Sequence, residues 1–264
     1  MTEATTLLLR LAAPLQAWGD HRAVVDTRHT SPMPTKSGVI GLLGAALGRE
    51  RDEPLGALAE LTIGVRADVP GTLLRDYHTV SDYRGVPLLS SKVNGKGRQV
   101  GTSPARYTMT GERFYLQDAA FLVAIHGPAP VMAEVTAAAK APVAILALGR
   151  RSCPPTFPLV LGTTADPIAD VLTGHDWLAS PHARTLWQRK HRGASPATVE
   201  VSAVLDDPNG DTILQDQPLS YASSGPRHTS RRVRHTLIPL PTGFDPGPDA
   251  TSGEGHDPLA LLGW

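Results

Sequence analysis

The first predicted helix begins with a lysine, a residue that the start of a helix disfavours. In the segment PTKSG, Thr35 or Ser37 can cap the helix by accepting a hydrogen bond from a free backbone N–H group. Lys36 then lies in the first turn, where the helix dipole opposes a cation by a few tenths of a kcal/mol. Because helix N-termini bind phosphate, an anion at this position would make Lys36 favourable. The segment from Thr35 to Gly38 therefore predicts a phosphate contact, with capping alone as the simpler alternative. A nucleotide-binding P-loop is excluded, since that motif requires GxxxxGK[ST] and no glycine opens this loop.

Aromatic and basic side chains alternate in a glycine-rich stretch from residue 77 to residue 112. Aromatic rings can stack on unpaired bases, and Lys or Arg can neutralise phosphates, so this composition is typical of a surface that binds single-stranded nucleic acid. A mobile, soluble hairpin without a ligand is the alternative interpretation. The residues that carry the pattern are Tyr77, His78, Tyr83, Arg84, Arg106 and Tyr107.

Histidine and cysteine spacing gives no support to a metal site. The sequence holds ten histidines but no HxH, HExxH or HxxxH pair, and His175 lies seven residues before His182. Cys153 is the only cysteine, which excludes an intrachain disulfide and a multi-cysteine zinc site. We therefore expect neither a metal nor another cofactor.

Charge is segregated along a chain whose formal net charge is zero. Between Leu73 and Arg113 there are seven Lys or Arg residues and three acids, whereas Leu240 to Trp264 carries four acids and no Lys or Arg. Such runs are often solvated faces, but several basic runs in a neutral chain favour a polyanionic partner. The other basic residues in runs are Arg184, Arg189, Lys190 and Arg192, and Arg227, Arg231, Arg232 and Arg234.

The apolar stretch near the N-terminus does not predict a membrane protein. The run in MTEATTLLLRLAAPLQAWG is too short for a membrane span, and no basic residue precedes it as in a signal peptide. We expect a cytoplasmic protein without membrane contact, which agrees with the single cysteine.

The hydrophobic pattern predicts the elements that position these residues. Thr6–Ala12, Leu61–Asp68 and Ala119–Ile125 are predicted strands, while the segment from Thr35 to Gly48 and Val131–Lys140 are predicted helices. Strand, helix, strand, long excursion, strand and helix is the order of a ferredoxin-like βαββαβ unit whose central hairpin is greatly extended.

The C-terminal third predicts further strands and a tail. VEVSAVL and DTILQ flank Asn209-Gly210, a dipeptide that favours a tight turn between paired strands. VRHTLIPL is another predicted strand. The remainder, from residue 241 to residue 264, is rich in Pro, Gly and acids and is predicted to be disordered.

Several separated blocks of the sequence resemble one known family. LRLAAPLQAWG, PTKSGVIGLLGAALG, LLRDYHTV with DYRG, YLQDAAFLVAI and LGRRSCPPTFPLVLG occur in the order expected of the CasD family, the Cas-five-type RAMP subunits of type I-E CRISPR Cascade. The resemblance spans roughly residues 5–163. It implies an α+β, ferredoxin-like (RRM-like) RAMP palm over residues 1–163. A β-hairpin thumb would span about 77–112, and a β-rich extension over 164–240 would pack on the palm before the tail at 241–264.

The resemblance also implies a function and a binding site. A subunit of this family would cap the 5′ handle of the CRISPR RNA in antiviral defence, contact the backbone subunit CasC and the large subunit CasA, and meet target DNA through the complex. It would have no catalytic residue. Arg150 and Arg151 have structural ion pairing as an equal alternative. The implied RNA-binding residues are Gln16, Trp18, Gly19, Thr35, Lys36, Ser37, Gly38, Arg75, Tyr77, His78, Tyr83, Arg84, Arg106, Tyr107, Arg150 and Arg151.

Two other functions remain open at this point. Some Cas-five relatives cut repeat RNA without a metal, and Lys36, Tyr77 and His78 could converge on a scissile phosphate. In type I-E systems, however, the separate subunit CasE is expected to process the RNA. A scaffold whose basic runs only confer solubility is the third hypothesis, and it would show no salt-sensitive RNA binding.

Overall fold

The computed structural model describes residues 4–19, 27–191 and 196–244, and for residues 91–93 the backbone alone. The predicted acidic tail lies outside the described residues from residue 245 onwards. Within the described ranges, no helix is long and apolar enough to cross a membrane. The elements in chain order are β1 (Ala4–Ala12), β2 (Leu15–Gln16), β3 (Thr27–Arg28), α1 (Lys36–Ala46), β4 (Thr62–Val69), β5 (Thr72–Ser81), β6 (Leu89–Val93), β7 (Gln99–Gly101), β8 (Thr108–Gln117), β9 (Ala120–Pro128), α2 (Ala129–Lys140), β10 (Val160–Thr164), α3 (Ile168–Gly174), α4 (Pro181–Lys190), β11 (Thr198–Asp206), β12 (Thr212–Ser220) and β13 (Arg227–Pro241).

A seven-stranded sheet in the order β10-β1-β9-β4-β11-β13-β12 forms the centre of the molecule. Every neighbouring pair in it is antiparallel. Helix α1 connects β1 to β4, and α2 connects β9 to β10, so both connections cross over a strand that lies between them in the sheet. The prediction of a mixed α+β protein is confirmed, as are the first strand and the two helices of the N-terminal half.

Helix α1 forms where the sequence predicts it, because its cap and its apolar face both favour a helix in this segment. The Thr35 side chain accepts a hydrogen bond from the backbone N–H of Gly38, at 3.2 Å. Val39, Ile40 and Leu43 are fully buried in the core between the helices and the sheet. Burying each such side chain contributes about 1.5–3 kcal/mol. The helix is therefore anchored firmly at the end that the sequence predicts to meet an anion.

A buried arginine joins β4 to α3 and to the segment that follows α3. Arg66 donates from Nε and Nη2 to the two carboxylate oxygens of Asp68, at 2.7 and 2.8 Å. Its remaining N–H groups donate to the backbone carbonyls of Leu172, His175 and Asp176. All five donors of a guanidinium thus have acceptors, which is the condition under which a buried charge is tolerated. This arrangement fixes the second apolar core, on the face of the sheet opposite α1.

The glycine-rich excursion forms a long antiparallel hairpin, although the hydrophobic pattern does not locate its individual strands. Strands β5 and β8 pair from Thr72 with Gln117 to Ser81 with Thr108, and β6 pairs with β7 between them. On its other edge β8 also pairs with β2 and β3. We call the segment Thr72–Gln117 the long hairpin. Its strand β5 is exposed on both faces, so neither alternation nor an apolar run marks it in the sequence.

The predicted pairing of the strands on either side of Asn209-Gly210 is wrong. A tight turn does form, with Gly210 N–H donating to the carbonyl of Asp207 at 2.9 Å. Yet β11 and β12 do not pair, because β13 lies between them and both strands use Val233 as a register partner. Strand β13 has fifteen residues, so its first half, from Arg227 to Val233, pairs with β12, and its second half, from Val233 to Pro241, pairs with β11.

Candidate nucleic-acid interface

Three segments that are far apart in the sequence meet in one cleft of about 430 Å³. They are the loop after β2, the start of α1, and the loop before Cys153, each of which contains residues predicted to bind RNA. Arg28, Arg51 and Arg150 line the cleft, and no described Asp or Glu residue does. A concave surface lined by one sign of charge attracts a polyanion. The lining residues are Ala17, Trp18, Gly19, Arg28, His29, Thr35, Ser37, Gly38, Arg51, Gly149, Arg150 and Tyr221.

Gln16 and Trp18 support the cleft from within the core. Gln16 is fully buried, and its Nε2 donates to the carbonyls of Leu11 and Ala119, at 3.2 and 2.7 Å. Trp18 Nε1 donates to Gln16 Oε1 at 3.2 Å. The polar groups of both side chains are therefore used internally, and direct side-chain hydrogen bonding to RNA is not their role. Gly19, next along the chain, is exposed at the cleft.

Close backbone contact joins the first and third segments. The N–H of Ala17 donates to the carbonyl of Leu148 at 3.1 Å. Gly149 follows with φ +90°, and a Cβ there would lie 1.6 Å from the carbonyl oxygen of Ala17. Only glycine permits this conformation and this approach. The sequence LGRRSC therefore contains a glycine that shapes the cleft beside its two arginines.

Lys36 has an internal partner instead of a phosphate. Its side chain is only 6% exposed, and Nζ donates to Asp206 Oδ2 at 2.9 Å. Its backbone N–H donates to Asp216 Oδ2 at 2.7 Å. The anion that the sequence predicts at the start of α1 is thus present, but it is supplied by carboxylates of β11 and β12. This corrects the reason for assigning Lys36 to RNA, because its ammonium does not reach the cleft.

Arg231 completes a buried network of two cations and two carboxylates. It donates from Nε and Nη2 to Asp216, at 2.6 and 2.9 Å, and from Nη1 to Asp206. Burial alone would raise the pKa of Asp216, but the hydrogen bonds and charge of Arg231 outweigh it and hold that pKa below its ordinary value. The pKa of Arg231 is raised for the reciprocal reason, against its own burial. The network, made of Lys36, Arg231, Asp206 and Asp216, is neutral as a whole.

Arg150 joins strand β8 of the long hairpin to strand β3 at the edge of the cleft. Its guanidinium donates to the backbone carbonyls of Phe114 and Arg28, at 2.9 and 2.8 Å, and lies 4.6 Å from the centre of the Tyr115 ring. Arg150 is thus structural, although it acts through carbonyls and a ring and not through an ion pair. Arg151 is exposed, and the described part of the chain offers it no hydrogen-bond or ion-pair partner.

Exposed aromatic rings occur along the long hairpin. Tyr83 is 97% exposed, and Tyr77 and Tyr107 are more than half exposed. The Arg84 guanidinium lies 5.8 Å from the Tyr83 ring and forms an ion pair with Asp82 at 2.6 Å. The side-chain hydrogen bond from Arg84 lowers the pKa of Asp82 to about 2. The rings remain open to solvent and can stack on bases.

The basic side chains of the long hairpin differ in whether they already have an ion-pair partner. Arg75 forms an exposed ion pair with Glu112 across the β5–β8 ladder. Arg106 is exposed, and its backbone N–H donates to Thr102 Oγ1 at 2.8 Å. Exposed ion pairs are worth about 0–1 kcal/mol, so Arg75 can exchange its partner for a phosphate at little cost.

The three residues of the nuclease hypothesis do not converge. Tyr77 and His78 are adjacent on β5, and consecutive side chains of a strand point to opposite faces. Lys36 is held in the buried network at the start of α1. In the part of the chain that the structure describes, no three His, Cys, Asp or Glu side chains lie together as potential metal ligands.

Sequence patterns missed four residues of the cleft. His29 stacks on Phe114 of the long hairpin, with ring centroids 5.3 Å apart and planes at 13°. The Tyr221 hydroxyl donates to the carbonyl of Ser37, and burial raises the pKa of that hydroxyl, which keeps it a neutral donor. Arg28 and Arg51 add charge. No local motif contains these four residues, because only the tertiary fold brings them to α1.

The family model, the relative and the two solved structures that follow all carry CRISPR or Cas descriptions. The family model described as "CRISPR-associated protein (Cas_Cas5)" matches residues 6–234. "CRISPR system Cascade subunit CasD" of Escherichia coli (strain K12) is 42% identical over 176 residues, which cover 60% of this chain and 70% of that protein. A chain of a solved "CRISPR RNA-guided surveillance complex" superimposes with a TM-score of 0.67 at 31% identity, covering 93% of this chain and 95% of the other. A solved "Cas protein" gives a TM-score of 0.64 at 34% identity, with 90% and 98% covered.

Proposed function

The chain belongs to the Cas5 family of CRISPR-associated proteins, and from this premise we propose that it is a non-catalytic, CRISPR RNA-binding subunit of a type I-E Cascade complex. In this role it caps the 5′ handle of the guide RNA. The proposal rests on the cleft, where three separated segments and three arginines meet without a described acid.

The cleft offers the groups that an RNA backbone requires. Arg28 and Arg51 supply positive charge, while the Thr35 and Ser37 side chains and exposed backbone near Gly19 supply polar contacts. Phosphate and sugar contacts of this kind fix the position of a nucleic acid without reading its bases. We propose that the handle backbone follows the cleft from the start of α1 to Arg150.

The remaining architecture supports a palm and a thumb. The strand order β10-β1-β9-β4, with α1 and α2 as its two crossover helices, matches the order 4-1-3-2 of a ferredoxin-like palm. The long hairpin leaves this sheet as the thumb, and the His29–Phe114 stack joins it to the cleft. We propose that Tyr77, Tyr83 and Tyr107 stack on splayed bases of the guide.

Apolar exposure on the long hairpin supports neighbouring subunits as partners. Leu73, Val80 and Leu89 are more than half exposed, which is unfavourable unless another surface covers them. We propose that the backbone subunit CasC and the large subunit CasA cover this region, that target DNA is met through the assembled complex, and that the assembly is cytoplasmic.

RNA-binding measurements on matched charge reversals test the cleft. Arg51→Glu should weaken binding of repeat-derived handle RNA by about tenfold or more, because a charge-assisted contact is replaced by repulsion. Arg189→Glu on α4, with the same charge change away from the cleft, should leave the affinity unchanged. The salt dependence of binding should also become shallower for Arg51→Glu alone. Equal effects of the two variants would contradict the proposal.

Labelled repeat RNA tests the absence of catalysis. We expect no specific cleavage when the purified protein is incubated with cognate repeat RNA in EDTA. Cleavage that His78→Ala abolishes would establish the metal-independent endoribonuclease instead.

A further inference from the structure

A second concave surface of about 500 Å³ lies apart from the cleft and shares no lining residue with it. It is bounded by α4, by the turn between β4 and β5, and by the end of β1. Most of its surface is apolar. Leu186 and Phe157 are exposed there although both are large and apolar. We call this surface the α4 groove. Its apolar lining includes Val69, Pro70, Phe157, Leu178, Leu186 and Trp187.

The α4 groove also contains an incompletely satisfied cation. The Arg10 guanidinium lies 4.0 Å from the centre of the Phe157 ring, and Nη2 makes a long hydrogen bond of 3.4 Å to the carbonyl of Leu178. Its Nε is buried and has no hydrogen-bond partner among the described residues. Lys190 and His182 also line the groove, against one acid, Asp118. The groove therefore suits an apolar segment that carries negative charge.

The chain itself leads to this groove. Phe244, the last described residue, stacks on Trp187 with ring centroids 6.1 Å apart and planes at 25°. Just before it, the carbonyl of Thr242 accepts a hydrogen bond of 3.0 Å from Arg184 of α4. Both contacts fix the chain against the helix that forms one wall of the groove.

The sequence after Phe244 has the composition that the groove requires. It carries Asp245, Asp249, Glu254 and Asp257 without any Lys or Arg, and it continues into the apolar run Leu259–Trp264. Leu259 lies fifteen residues after Phe244, a length that can span up to about 50 Å. The apolar run is therefore within reach of the whole groove.

We propose that Leu259–Trp264 binds in the α4 groove of its own chain, with Asp257 close to Arg10 and Lys190. The bound segment removes Leu186 and Phe157 from water and gives the Arg10 guanidinium a carboxylate acceptor. It thereby covers an apolar surface that a neighbouring molecule would otherwise meet.

Disulfide trapping in the full chain tests this proposal without RNA. The only native cysteine, Cys153, is buried, and burial raises the pKa of its thiol, so it reacts poorly. One variant pairs Leu261→Cys with Leu186→Cys in the groove. The matched control pairs Leu261→Cys with Leu219→Cys on β12, because Leu186 and Leu219 are 49% and 50% exposed. Thermal unfolding of the reduced proteins verifies that both variants fold.

We expect the intramolecular disulfide at Leu186→Cys to form about tenfold faster than the one at Leu219→Cys, since binding raises the effective concentration of the tail thiol. Adding Asp257→Lys should remove most of this advantage. Equal rates at the two positions, or no disulfide at either, would overturn the proposal. A disulfide-linked dimer would also overturn it, because a second copy and not the same chain would then fill the groove.

Discussion

Gly38 lies directly against the ring of Trp18: a Cβ at Gly38 would be 2.8 Å from Trp18 Cε3 and 3.0 Å from Thr35 Oγ1. The start of α1 therefore packs so closely on the Trp18 ring that no side chain fits at Gly38. This contact joins two of the three segments of the cleft, and the absence of a side chain at one position makes it possible.

Gly38→Ala should destabilise the protein by about 1–3 kcal/mol, because the added methyl group overlaps a buried indole that cannot move. Gly44→Ala in the same helix is the matched control, since nothing lies within 4 Å of its Cβ position. That change should stabilise the helix by about 0.5–1 kcal/mol. Urea unfolding measures both. A Gly38→Ala protein as stable as the wild type would show that the loop and helix are not in close contact.

Lys36→Met should destabilise the protein by about 3–5 kcal/mol, because it leaves an uncompensated carboxylate in the buried network. Lys36→Glu should be more severe, since it places a third carboxylate beside Asp206 and Asp216. Lys140→Met, on the exposed end of α2, should have little effect on unfolding in urea. RNA affinity of the folded Lys36→Met protein should be unchanged. Lost RNA affinity with unchanged stability would return Lys36 to the RNA-binding surface.

The pH dependence of the free energy of unfolding should show how much Asp216 stabilises the folded protein. Its pKa is lowered in the folded protein, so its contribution is present above the ordinary value of 3.8 and is lost as the pH falls through the lower folded value. Asp216→Asn should cost about 3 kcal/mol at neutral pH, because Arg231 loses a charged partner. The variant should then lose less stability than the wild type on acidification below pH 3.8. Parallel acid profiles of the two proteins in urea unfolding would contradict this assignment.

Tyr83→Ala should weaken RNA binding by about 1–3 kcal/mol, the value of one stacked base. Its ring is almost wholly exposed, so the melting temperature should not change. Tyr83→Phe keeps the stacking face and should retain the affinity. Fluorescence titration with handle RNA distinguishes the variants, and a loss for Tyr83→Phe equal to that for Tyr83→Ala would assign the effect to the hydroxyl.

Hydrogen exchange should divide the long hairpin into two parts. In the free protein, the paired strands β5 and β8 should exchange slowly near the sheet. Residues 82–107 should exchange rapidly, because the described residues there are almost all exposed and the β6–β7 ladder is short. Guide RNA and the neighbouring subunits should slow exchange in residues 82–107. Strong protection of that segment in the isolated protein would mean that it belongs to the rigid core.

Local signals allowed the sequence to predict α1, α2 and the buried strands of the N-terminal half. Thr35 supplies a cap, Val39, Ile40 and Leu43 supply one apolar face, and Ala119–Ile125 forms an apolar run. These features depend on neighbours within a few residues. The strands of the long hairpin lack such a signal, because β5 is exposed on both faces.

The parts that the sequence could not predict depend on long-range partners. Asn209-Gly210 correctly indicates a turn, but its strands are separated by β13, which begins seventeen residues after Gly210. The segments of the cleft were each identified, while the partners that use Gln16, Trp18 and Lys36 internally were not. Residue types alone do not distinguish a lysine that faces RNA from one that faces Asp206.

The buried guanidinium of Arg66 has a consequence for how the chain folds during synthesis. Its carbonyl acceptors begin at Leu172, 106 residues further along the chain. At translation rates of about 5–20 residues per second, the ribosome needs roughly 5 to 20 s to make them. Until then β4 cannot be buried on that face without leaving three of the five guanidinium N–H groups of Arg66 without acceptors. The outer face of β4 in the nascent N-terminal half should therefore stay hydrated. This half should fold as one cooperative unit with the residues that follow it.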